Sequence, residues 1–213
     1  MKEIQNQPSP QTKASFTIFV NMFLSLIIKK LLDTGLTSYK SNTLNFYHLI
    51  FLLSLMVILF QSFSLFLKVS TNPTYTEVLH VGIRRKLHIP ALFASMITVF
   101  VLLYLLADFF SGDALTFLVG SLALAFSWLL FDFLCKLVIA DYYISQSKLD
   151  EIQNDQLYVA VGRWIGCDVL LIIWSTLIII SVHKAKMTEI EAAFAMLFAF
   201  SFLTYLVLRS VKK

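Results

Sequence analysis

The sequence predicts an all-α, polytopic integral membrane protein of about six transmembrane helices, with both termini on the cytoplasmic side. Three observations predict it. Of 213 residues, 58% are apolar and only 14% are charged; the mean hydropathy is +0.79; and apolar runs of membrane-spanning length recur along the chain. Soluble domains carry about 25% charged residues. A chain this apolar could not cover itself with polar surface in water, whereas a bilayer removes the need to.

A spanning helix needs about 20 mostly apolar residues, at 1.5 Å each across a core of about 30 Å. After a polar tail over 1–13, the first candidate span is 14–32. Its apolar part ends at Ile28, and snorkelling of Lys29 and Lys30 extends it. The run lacks a small-residue cleavage site, so it reads as a retained signal anchor. Residues 46–67 form the second span. A loop over 68–88 then holds a short helical candidate opening at Thr76 and Glu77, and Pro90 opens the third span, 89–107. Residues 108–113, with Ser111 and Gly112, are a turn short enough to make spans three and four (114–134) antiparallel neighbours. The apolar flank 137–144 continues the fourth helix beyond the membrane, into a loop over 136–163. Spans five and six are 164–182 and 190–208. Together these make one transmembrane helical domain. The two halves hold three oppositely oriented spans each, but the loops do not correspond and no repeat is evident.

Placement of the seventeen Lys and Arg residues decides span number and orientation. With six spans, one side holds Lys2, Lys13, Lys68, Arg84, Arg85, Lys86, Lys136, Lys148, Arg163, Arg209, Lys212 and Lys213. The other holds Lys29, Lys30, Lys40, Lys184 and Lys186. The richer side is cytoplasmic by the positive-inside bias, and a five-span reading fits that bias less well. The compact, helix-only build points to a bacterial inner membrane. The net charge of +4 reflects this orientation rather than nucleic-acid binding. Cys135 and Cys167 read as reduced thiols near the cytoplasmic face.

Two acids inside the spans carry the strongest chemical signal. Asp132 and Asp168 lie four and five residues deeper than Lys136 and Arg163, or roughly 6 to 8 Å into the apolar zone at matching depth. An ionised Asp there is costly and should face a helix neighbour, a wet cavity or a cation. Asp132, Asp168 and Arg163 are therefore candidates for an ion or proton site. The competing structural reading, favoured by the shallow depth, pairs Asp132 with Lys136 one turn on and Asp168 with Arg163 or interfacial water.

A second candidate is the basic segment in which His80, Arg84 and His88 recur every four residues beside Arg85 and Lys86. On the inner surface it would attract anionic lipid headgroups or an acidic partner, at about 1 kcal/mol per cation. Two His residues two turns apart, with no acidic or Cys ligand between them, do not make a metal site. Small residues at spacing four, namely Ser121 with Ala125, Gly162 with Gly166, and Ala195 with Ala199, point to close helix packing. Asn21 and Gln61 read as hydrogen-bonding groups between helices, and His48 lies near an outer interface.

The expected function is a channel, pore or transporter for an ion or small solute, with the acids at the cytoplasmic ends of spans four and five and with homo-oligomer assembly as an option. An alternative is a non-catalytic subunit that anchors or regulates a membrane partner through the basic loop. A lipid-acting membrane enzyme ranks last, because no nucleophile or metal constellation accompanies the acids. No cofactor is called for: the sequence lacks a phosphate loop, a metal-spaced Cys or His cluster and a serine elbow.

Overall fold

The computed structural model describes residues 10–71 and 89–210, and among these all regular structure is helical. Six α-helices follow in order: α1 (Pro10–Lys40), α2 (Phe46–Thr71), α3 (Ile89–Phe109), α4 (Ala114–Ser145), α5 (Gln156–His183) and α6 (Glu189–Ser210). A short 3-10 segment, Leu149–Asn154, links α4 to α5. The helical candidate at Thr76 and the basic segment from His80 to His88 lie outside the described residues.

Four helices are long and apolar enough to cross a membrane: Pro90–Phe109, Ala114–Ser145, Gln156–His183 and Glu189–Arg209. Phe46–Ser62, within α2, is a shorter apolar stretch. The first helix carries Lys29, Lys30 and Asp33 within about one turn and is the least apolar of the six.

Local chemistry sets the helix ends. Asp113 caps α4 by accepting the Thr116 N–H at 2.8 Å, so the 108–113 turn closes into an antiparallel pair as its length requires. Asp155 caps α5 in the same way, accepting the Tyr158 N–H at 2.8 Å. That cap starts α5 eight residues before the expected span and outside the most apolar stretch. At its other end α5 stops with Ala185 in the left-handed region, φ 53, while the Lys186 N–H reaches back to the Ser181 carbonyl at 2.9 Å.

The helices close into a ring in the order α1, α3, α4, α5, α6, α2 and back to α1, with α4 and α5 in the most extensive contact. Within the first three helices α1 touches both others broadly; within the last three α5 does. The halves are therefore not copies of one another. Large side chains fill the ring's centre. Phe51 of α2 stacks on Phe117 of α4 with centroids 4.2 Å apart, and both are fully buried. Offset-stacked rings add about 0.5–1.5 kcal/mol beyond their area. Phe23 and Phe100 stack at 5.0 Å between α1 and α3.

Polar pairs fix the ring's seams. Lys30 on α1 forms a 2.9 Å ion pair with Asp108 at the end of α3, and Thr34 adds a hydrogen bond to the same carboxylate. Gln61 on α2 accepts the Thr204 hydroxyl of α6, so the expected role of Gln61 between helices holds. His48 is buried in the turn region: the Asn45 N–H donates to Nδ1 and the Gly112 carbonyl lies 2.9 Å from Nε2, which fixes the proton on Nε2. Asn21 departs from its reading, because it is exposed on the outer face of α1 rather than set between helices.

Helix approach is tight where α3 meets α4. A methyl group on Gly120 would lie 2.9 Å from Leu106 Cδ2 and 3.3 Å from Phe109 Cδ2. Ser121 and Ala125 beside it are fully buried, and Ala199 on α6 is buried, as the spacing predicted. Gly166 differs: it is exposed, and a methyl group there would meet nothing within 4 Å.

Candidate functional site

The acids stand on the two helices in the most extensive contact. On α4, Asp132 falls on the buried face with Trp128, Phe131, Cys135 and Ile139; on α5, Asp168 falls on the buried face with Trp164, Cys167 and Leu171. Recurrence at three and four residues puts each set on one stripe facing the neighbouring helix. Because α4 and α5 are antiparallel, acids at equal depth meet across the interface.

They do meet. The Asp132 and Asp168 carboxyl groups are in hydrogen-bond contact, and each residue is only 6% exposed. Apart from the contact with Asp132, the buried Asp168 Oδ2 has no hydrogen-bond partner among the described residues. A hydrogen bond between two carboxyl groups needs a proton, and two bare carboxylates so placed would repel strongly in apolar surroundings. Such a pair can share a proton between its carboxyl groups or hold a cation.

The ion-pair reading of the acids gives way to this arrangement. Lys136 turns its ammonium away across the interface, 4.7 Å from the centre of the Tyr158 ring, in cation–π contact. Gly162 makes room for it: a methyl group there would come within 3.2 Å of Lys136 Nζ. Arg163 is exposed, and five residues of helix place it about 140° around α5 from Asp168. The structure brings Asp132 and Asp168 together and leaves Arg163 outside.

The wider site contains features that the sequence reading missed. A buried Trp precedes each acid by one turn, Trp128 at 7% exposure and Trp164 at 3%. The signal was present as W-x-x-x-D, once on α4 and once on α5. On antiparallel helices the two copies run in opposite directions, so one indole lies a turn to either side of the acid level, about 6 Å away along the axis. Cys167 adjoins both acids, and Cys135 lies one turn beyond Asp132; both are buried, and no disulfide joins them. No group of three or more His, Cys, Asp or Glu residues able to hold a metal ion occurs among the described residues.

The α4 to α5 connection holds this register. Asp155 uses Oδ1 for the cap on α5 and Oδ2 to accept the Tyr143 hydroxyl of α4 at 2.7 Å. The 3-10 segment packs on both helices. Comparison with protein-family models, curated proteins and solved structures finds no match.

Proposed function

We propose that this chain is a membrane transport protein for an ion or small solute, with Asp132 and Asp168 as its proton or cation site. The observation that carries the reading is the buried contact between the two carboxyl groups, with no basic side chain among the described residues paired to either. An acid pair held at 6% exposure against apolar side chains is costly to maintain for structure alone, since a packed apolar pair or a hydrogen-bonded amide pair would sit there at lower cost. A site of exchange explains why both acids are present. The aromatic filling around Phe51 and Phe117 favours a carrier that moves between conformations over a standing pore.

The same proposal takes all six helices across the membrane, with both termini on the cytoplasmic side. Its supports are the Lys and Arg asymmetry and the helical lengths of α1 and α2, 31 and 26 residues. The acids then sit at the cytoplasmic ends of α4 and α5, and an inner bacterial membrane suits the build. Asp132→Asn and Asp168→Asn should each alter flux or its pH dependence in proteoliposomes while leaving the protein folded. Wild-type flux in both variants across pH would remove the acids from the transport role.

A further inference from the structure

The donor set around Asp132 and Asp168 decides which species the pair can hold. The hydrogen-bond contact between the carboxyl groups engages an oxygen of each. Within one turn on the two facing stripes stand Trp128, Phe131, Cys135, Trp164, Cys167 and Leu171. The indoles, the phenyl ring and the leucine bring no lone pair that a cation could use, since an indole N–H only donates. The backbone carbonyls of these turns accept helical N–H groups.

A metal cation would therefore lack a coordination shell. Mg²⁺ asks for about six oxygen ligands and Ca²⁺ for about six to eight, and an alkali ion entering a site exchanges its water for a ring of oxygens. The missing ligands would have to be waters, and a buried water needs several polar partners of its own. With each acid only 6% exposed, the stripes supply none within a turn besides the acids and the thiols. Thiols suit a soft ion, but no three His, Cys, Asp or Glu side chains among the described residues converge closely enough to hold one. A proton needs only one donor oxygen and one acceptor oxygen, and the carboxyl contact is that arrangement.

We infer that the site takes a proton and excludes metal cations, the two carboxyl groups sharing one proton between them. With the transport role proposed above, on which this reading rests for its meaning, H⁺ is the ion that the chain moves or is driven by. Few other groups act on that proton. Among the described residues, α4 and α5 place Cys135 and Cys167 beside it, while Lys136 reaches instead to Tyr158. On α3 the titratable groups are Tyr104 and Asp108, towards the 108–113 turn. On α6, Glu189 and Glu191 lie at the start of the helix, and Tyr205 and Arg209 are exposed. Asp150 and Glu151 of the 3-10 segment are exposed as well.

Infrared difference spectroscopy on the full-length protein in lipid nanodiscs tests this without relying on flux, so the proton site and the transport reading can fail separately. At neutral pH the wild type should show a protonated-carboxyl C=O band that an Asp132→Asn, Asp168→Asn double variant lacks. Adding Na⁺, K⁺, Mg²⁺ or Mn²⁺ to the wild type should leave that band in place. No such band in the wild type, or a band discharged by any of these cations, would overturn the inference. In proteoliposomes, proton flux should persist when Na⁺ and K⁺ are replaced by N-methylglucamine, and a flux that requires a metal cation would overturn the inference too. A cation-indifferent band without flux would uphold the proton site and retire the transport reading.

Discussion

Tyr143, in the last turn of α4, donates a 2.7 Å hydrogen bond to the Asp155 carboxylate that caps α5. One side chain therefore begins a helix and ties it to its neighbour. Asp132 lies about three turns up α4 from Tyr143, and Asp168 about three and a half turns along α5 from Asp155. The register that lets the two acids meet is set at this clasp.

Breaking the clasp should cost more than a cap. Asp155→Ala removes the N-cap, worth about 1 kcal/mol, and strands the Tyr143 hydroxyl, worth about another 1–2 kcal/mol. Tyr143→Phe should cost about 1 kcal/mol. Unfolding in detergent measures both, and a double variant no worse than Asp155→Ala alone would show the two residues acting as one unit. Additive losses would mean that the hydrogen bond does not couple them.

Asp113 makes stability sensitive to acid. The Thr116 hydroxyl and backbone N–H hold its carboxyl below the usual range near 3.8. A depressed value in the folded state adds stability that is complete above the ordinary value and is lost as pH falls through the lower folded value. Asp113→Asn keeps the cap without the titration. The stability difference between wild type and this variant should be constant above about pH 5 and should shift against wild type below about pH 4. A difference that stays flat down to strong acid would contradict the assignment.

Two glycines should respond in opposite ways. Gly120→Leu forces its side chain into Leu106 and Phe109 and should destabilise by about 1–3 kcal/mol. Gly166→Leu enters open space and should stay within about 0.5 kcal/mol of wild type. Equal losses at both positions would show that the α3 to α4 approach at Gly120 is not tight.

These contrasts mark what the sequence discloses. Helix positions, the tight 108–113 turn and the matching depth of Asp132 and Asp168 were legible, because length, punctuation and counting from Lys136 and Arg163 determine them. Lateral order was not. Each apolar helix is hydrophobic around most of its circumference, so periodicity does not say which face meets which neighbour. That is why the pairing of Gln61 with Thr204, the outward turn of Asn21 and the openness of Gly166 required the structure. The acid pair fell between these cases: W-x-x-x-D was readable on both helices, but its meaning depends on the antiparallel register fixed by Asp155. The choice of Lys136 for Tyr158 over Asp132 depended on the gap left by Gly162.

The most direct test of the acid pair as a transport site is ion and proton flux in sealed liposomes, for wild type beside an Asp132→Asn, Asp168→Asn double variant of equal folding and insertion. Wild type should show measurable flux that the double variant abolishes or frees from pH. Absence of flux in correctly inserted wild type, or flux unchanged in the double variant, would contradict the assignment.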